Sequence, residues 1–443
     1  MSKDQNSMNT NRRFNSKIGF ILACVGSAVG MANIWMFPYR VGQYGGAAFL
    51  LIYLFFIALF SYVGLSAEFA IGRRANTGTL GAYEYAWDKK GKGKLGLALG
   101  YIPLFGSMGI AIGYAIIVSW VLRTLGGAVT GTLFQIDSAE FFSQATGAFG
   151  SLPWHSIVVI GTLLTLVVGA KSIEKTNKVM MPAFFILFLI LAIRVGFLPG
   201  AQAGYKYLLI PDWSYVFKPI TWIMAMGQAF FSLSITGSGM IVYGAYLSPD
   251  EDIVSGALST GIFDVVAALV SAFVVIPACF AFNIPPNAGP PLMFITIPKI
   301  LAQIPFGRLF AIIFFLSVIF AGISSLQNMF EVVGESIQNR FKLNRKTVII
   351  LLAVICLGIG IFIEAEPLVG MWMDVISIYV IPFGAVLGAF SWYYILGNED
   401  MLDELNKGSQ KVHGSTLISI AKYLYVPISI AIFVLGIIFG GIG

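Results

Sequence analysis

Long apolar runs alternate with short polar connectors along nearly the whole chain. A helix needs roughly 20 apolar residues to cross a bilayer. By that measure the pattern predicts eleven spans, over 18–40, 46–71, 96–125, 155–171, 177–198, 219–246, 253–283, 307–339, 347–365, 372–396 and 416–440. Residues 1–16 are polar. They read as a short cytoplasmic tail rather than a signal peptide, because no cleavage site follows and the next apolar run continues into Pro38. Few connectors are long enough to fold alone, so residues 17–443 are expected to form a single membrane domain. Segment 284–306 is amphipathic and punctuated by proline. It is expected to form a re-entrant outer lid, with an ordinary long loop as the alternative.

Composition agrees with this pattern. Hydrophobic residues make up 58% of the chain and charged residues 11%, where a soluble domain carries roughly 25% charge. A soluble enzyme, a disordered chain and a coiled coil are thereby excluded, leaving an all-α membrane protein. The positive charges orient it. With the amino terminus inside, 20 of the 27 Lys and Arg residues lie on the cytoplasmic side. The long 127–153 connector, on the other side, contains none. An odd number of spans then puts the carboxyl terminus outside. Cys24, Cys279 and Cys356 all fall in apolar stretches, against a disulfide framework. His155 and His413 are too few for a histidine metal centre.

Two spans contain what membrane helices avoid. Span 1 has Gly26-Ser-Ala-Val-Gly30-Met-Ala-Asn33 at mid-depth, and span 6 has Ser232-Leu-Ser-Ile-Thr-Gly-Ser-Gly239. Such residues support an unwound backbone, which a bilayer tolerates only where it is buried in protein or lines a cavity. Freed carbonyls coordinate a cation, and half-helix amino ends hold an anion. The two spans are five apart, the spacing of an inverted five-plus-five repeat with its site at the repeat interface. Close helix packing of the Gly-x-x-x-Gly kind is the alternative, and Gly26 and Gly30 have that spacing. Carboxylates also fall within spans, among them Glu68, Asp264, Glu331 and Asp374. A charge at that depth is costly unless paired or used. For Asp264 a bound cation and a helix–helix hydrogen bond both remain open. Oxygen ligands without sulfur or imidazole suit an alkali or alkaline-earth ion.

The chain resembles the neurotransmitter:sodium symporter family, and within it the bacterial carriers of hydrophobic amino acids. The resemblance covers nearly the whole sequence. It rests on Gly26 to Pro38 with Gln43 to Phe49, on Gly227-Gln228-Ala-Phe-Phe-Ser232-Leu-Ser234, and on Ser172 to Pro182. It implies the leucine-transporter-like fold with spans 1 and 6 unwound. Repeat 1 would cover about 17–198 and repeat 2 about 219–396, with 416–440 as an extra span. It also implies a multi-pass protein of the cell membrane, with no nucleic-acid partner and no enzymatic activity. The oligomeric state is left open.

The resemblance also implies roles by position. Two sodium ions are expected. Site 1 would use Ala28, Asn33, Ser232 and Asp264, together with the substrate carboxylate. Site 2 would use Gly26, Val29, Ala321, Ser324 and Ser325. Asp264 stands where the family usually has Asn. Its fixed charge, with Ala268 removing a chloride ligand, implies chloride independence. Gly30, where monoamine carriers have Asp, leaves room for the carboxylate of an amino acid. Substrate would meet Ala28, Gly30, Met31, Ala32, Ile110, Tyr114, Phe231, Ser232, Ser234, Thr236, Gly237, Met240 and Met329, a set without charge. Aromatic and branched side chains are therefore expected to fit. Phe231 would close the pocket and Pro182 would mark where span 5 opens. Asp374 lacks its usual outer partner, since Met36 replaces an Arg. At the inner gate the family Asp reads Asn339, opposite Arg12 or Arg13. The expected activity is sodium-coupled uptake by alternating access. Proton coupling through Glu68 or Asp264 is one alternative, and a non-transporting receptor or sensor on the same fold is another.

Overall fold

The computed structural model describes residues 13–286 and 292–442. Among these the regular structure is entirely helical. Arg12 lies outside the described residues, as does the 287–291 part of the expected lid.

Ser16 opens the first helix by accepting the amide of Gly19, satisfying one of the free N–H groups at a helix start. Helix α1 (Lys17–Ala28) ends at mid-span, and α2 (Ala32–Gln43) continues at an angle of 59°. Val29 is extended at the junction. Span 2 is α3 (Ala47–Ala75), followed by α4 (Thr79–Asp88). Span 3 is the long α5 (Gly93–Thr130). A short α6 (Ser138–Thr146) follows it.

Spans 4 and 5 differ from expectation. They are α7 (Leu152–Thr165) and α8 (Ala170–Gly196). The junction falls at Gly169, whose φ of 76° suits glycine. Lys171, Lys175 and Lys178 are therefore helical and do not form a connector. The hydropathy pattern missed this because the first turns of α8 are polar.

After α9 (Ala201–Leu209) comes the second broken span. Its halves are α10 (Pro219–Ser232) and the short α11 (Ile241–Ala245). Span 7 is α12 (Ile253–Ala281). The described part of the lid is a short apolar helix, α13 (Leu292–Ala302). The expected spans 8 to 11 fall on α14 (Gly307–Phe341), α15 (Arg345–Ile363), α16 (Glu366–Ile395) and, after α17 (Asn398–Asn406), α18 (Ser415–Phe439). Helix α16 begins earlier than expected, so Asp374 sits two turns inside it.

Among the described residues, eight helices are long and apolar enough to cross a bilayer, and the bent α1–α2 pair makes a ninth. Helix α7 and the two halves of span 6, with 14, 14 and 5 residues, are shorter than a straight crossing.

The packing separates centre from periphery. Helix α5 packs on α14 and α4, and α8 packs on α14 and α1. Helices α15 and α18 instead leave Ile350, Val354, Phe362 and Ile438 exposed, the pattern of a lipid-facing surface. Two glycines let α3 and α11 touch backbone to backbone. A Cβ at Gly72 would lie 1.9 Å from the Ile241 carbonyl oxygen, and one at Gly244 would lie 2.3 Å from that of Phe69. The inner half of span 6 is thus fixed to span 2.

Candidate functional site

Both breaks lie against the same central space, and side chains from neighbouring spans replace their lost helical bonds. In span 6, Ser234 and Gly237 take left-handed φ values of 54° and 73°. This turns the chain out of the helix. The Glu68 carboxylate accepts the freed amides of Gly237 at 2.7 Å and Met240 at 2.8 Å. Thr236 accepts the Gly239 amide at 2.7 Å, and Asn328 donates to the Gly239 carbonyl at 2.9 Å. Ser238 lies 2.6 Å from Ser107 of α5. In span 1, the Asn33 side-chain oxygen accepts the Gly30 amide at 3.1 Å, and the Tyr114 hydroxyl accepts that of Met31 at 3.0 Å. Polar backbone at this depth is therefore satisfied within the protein.

Three of the expected site 1 residues meet. The Asn33 amide donates to Asp264 at 2.7 Å and to Ser232 at 3.2 Å. Ser232 donates to the Asp264 carboxylate at 2.8 Å. Tyr53 of α3 donates to its other oxygen at 2.9 Å. All four residues are buried. Ala28 is the last residue of α1 and is buried.

The expected site 2 oxygens also gather. The Ser325 hydroxyl lies 3.3 Å from the Gly26 carbonyl and 3.4 Å from that of Val29, and Ser324 donates to the Ala321 carbonyl at 3.0 Å. Gly30 lies beside this second group. A Cβ there would come within 2.8 Å of the Ser325 hydroxyl and 2.9 Å of that of Tyr114.

At the span 6 break is a mostly apolar cavity of about 90 Å³ that reaches from Ser27 and Ser325 toward Ile381 and Ile432. Of the expected substrate residues, Ile110, Phe231, Ser234, Thr236 and Met329 line it. Gly30, Met31, Ala32 and Tyr114 lie at the span 1 break beside it, and Ser232 faces the Asp264 group. Met240 is fully buried and held through its amide by Glu68. Gly237 faces span 10. A Cβ on it would lie 2.1 Å from the Gly384 carbonyl oxygen, so close backbone approach accounts for this glycine.

The cavity wall also includes Ser107, Asn328 and Ile381, which sequence reasoning did not single out. Ser107 was open to detection, since Ile110 and Tyr114 follow it at helical spacing on one face of span 3.

The gate residues are arranged as follows. Asp374 is exposed, and no ion pair holds it among the described residues. Pro182 lies within an uninterrupted α8. Asn339 donates to Thr77 at 3.2 Å and also to Glu335. Arg13 is exposed. Its neighbour Phe14 packs against Phe20, Tyr243 and Tyr246, with the first two ring centroids 5.7 Å away. Asn15 and Ser16 donate to Glu174 of α8 at 2.6 and 2.9 Å. The start of the chain thus ties α1, α8 and α11 together. Glu331 accepts from Tyr246 at 2.5 Å and pairs with Arg345.

Comparison with known proteins places this architecture in a class. The description "Sodium:neurotransmitter symporter family" matches residues 11–135 and 132–442. YhdH of Bacillus subtilis, described as a sodium-dependent transporter, is 31% identical over 96% of this chain and 97% of its own length. MJ1319 of Methanocaldococcus jannaschii, with the same description, is 31% identical over 90% of this chain and 84% of its own. Among solved structures, MhsT in complex with L-phenylalanine superposes with a TM-score of 0.84 at 31% identity. That match covers 96% of this chain and 99% of the MhsT chain. The protein is therefore a multi-pass membrane transporter of the sodium-coupled class, not an enzyme. It belongs to the sodium:neurotransmitter symporter family.

Proposed function

We propose that the protein carries neutral hydrophobic L-amino acids, aromatic and branched, into the cell with sodium by alternating access. The observation that carries this is the uncharged cavity at the span 6 break, with Ser325 of the site 2 oxygens in its wall. The structure of MhsT with L-phenylalanine supports the choice of substrate class. The carboxylate would sit at Gly30 and the Tyr114 hydroxyl, displacing the present contact with the Met31 amide. The ammonium would meet span 6 carbonyls, and the side chain would fill the space beside Ile110, Phe231 and Met329.

Two sodium ions travel with it in this reading. One is held by Ala28, Asn33, Ser232 and Asp264, the other by Gly26, Val29, Ala321, Ser324 and Ser325. The Asp264 charge lies where it would repel chloride, and Ala268 offers no hydroxyl, so transport proceeds without chloride. We also propose eleven crossings in the cell membrane, arranged as the two repeats plus span 11, with the amino terminus inside and the carboxyl terminus outside. The positive-charge asymmetry supports that orientation.

The test is uptake of L-phenylalanine into proteoliposomes. An inward sodium gradient in chloride-free medium should drive accumulation. Accumulation driven by an imposed proton gradient without sodium would replace this reading with proton coupling, and binding without flux would replace it with a sensor.

A further inference from the structure

We propose that Asn177 supplies the cytoplasm-facing oxygen of sodium site 2 and passes the departing ion to Gln327, an inference that rests on the site 2 assignment above. Asn177 lies on α8 and is fully buried. Its side-chain nitrogen donates to the Ile173 carbonyl at 2.9 Å and to the Gln327 carbonyl oxygen at 3.0 Å. The Ile173 carbonyl can only accept, so reversing the Asn177 amide would lose that bond. The side-chain oxygen is thereby turned the other way, and it has no hydrogen-bond partner. A buried amide oxygen without a partner is costly.

That oxygen points at Gly26. A Cβ on Gly26 would lie 2.0 Å from it and 3.0 Å from the Cβ of Ser324. Gly26 and Ser324 both belong to the site 2 group, and the Gly26 carbonyl lies 3.3 Å from the Ser325 hydroxyl. A hard oxygen at this place suits a sodium ion.

The position relative to the membrane gives the direction. Span 8 runs inward, so Gln327 is about 3 Å further in than Ser325 at the helical rise. Gln327 donates to Thr165 at 2.6 Å and to Thr176 at 2.9 Å. Both threonines are half-buried, near the inner ends of α7 and α8. A continuous set of side-chain oxygens therefore leads from Gly26 through Asn177 and Gln327 to the inner side. Each can replace part of the ion's hydration as it leaves.

The experiment measures ²²Na⁺ binding and sodium-dependent thermal stabilisation on the purified full chain, comparing N177A, N177D and S325A with the wild type. N177A is expected to bind sodium about tenfold more weakly, with a smaller sodium-induced rise in Tm. N177D is expected to bind at least as tightly as the wild type. A site 2 variant, S325A, should also lose sodium affinity. Wild-type sodium affinity in N177A alongside loss in S325A would overturn the role of Asn177 and leave site 2 standing. A lower Tm in N177A with unchanged sodium affinity would reduce the residue to packing. Wild-type affinity in S325A would remove site 2 itself. If N177A fails to fold, N177D decides: an affinity below that of the wild type would overturn the proposal.

Discussion

The side-chain amide of Asn33 donates to the Asp264 carboxylate over 2.7 Å, bridging the break in span 1 and the middle of span 7. Because Asp264 also accepts from Tyr53 and Ser232, four spans meet at one buried carboxylate. A hydrogen bond to a charged group contributes about 1.5–3 kcal/mol. An ion bound there would add its own attraction.

Asp264→Asn removes the charge and keeps the shape. The sodium concentration for half-maximal transport should rise about 10- to 100-fold, measured as the sodium dependence of uptake. An unchanged sodium dependence would place the ion elsewhere.

Glu68 holds the span 6 break through two backbone amides. Glu68→Gln turns an N–H toward one of them and leaves it unsatisfied. A loss of roughly 1–3 kcal/mol in stability is expected, seen as a lower Tm, together with loss of uptake. Full uptake by this variant would show that the break does not depend on the carboxylate.

Gly30 faces the hydroxyls of Ser325 and Tyr114 at the positions where a Cβ would be 2.8 and 2.9 Å away. Gly30→Ala should lower amino-acid affinity at least tenfold while the protein remains folded and monodisperse. Equilibrium binding of L-phenylalanine measures this, and wild-type affinity would move the carboxylate away from Gly30.

Glu331 is fully buried and pairs with Arg345. Removing one partner of a buried pair costs about 3–5 kcal/mol because the other charge is stranded. Arg345→Met alone should therefore lower stability more than the double change Arg345→Met with Glu331→Gln. Thermal unfolding of both variants checks the order. Equal losses would show that Tyr246 and solvent suffice for Glu331.

Much of this fold is legible in the apolar pattern because crossing a bilayer requires length, and length is visible in a sequence. The two breaks are visible for the related reason that Gly, Ser and Asn at mid-depth contradict a plain membrane helix. The junction of spans 4 and 5 was misplaced because basic residues occupy the first turns of α8, where hydropathy cannot tell helix from connector. Tyr53 as a partner of Asp264, the span 6 amides held by Glu68 and the contact of Asn177 with Gln327 were not legible either. Each of these joins spans far apart in the chain, and only packing brings them together. Gly237 shows the same limit. It is expected to meet substrate, yet the carbonyl of Gly384 is what it accommodates.

The central claim is that sodium and the amino-acid carboxylate share one seat at the broken helices, so each must raise the affinity of the other by the same factor. Equilibrium binding of L-phenylalanine to the purified protein, titrated with sodium at constant ionic strength, measures this directly. Affinity should rise steeply with sodium, and phenylethylamine, which lacks the carboxylate, should show no such coupling. L-Phenylalanine affinity that stays the same when potassium replaces sodium would contradict the shared seat.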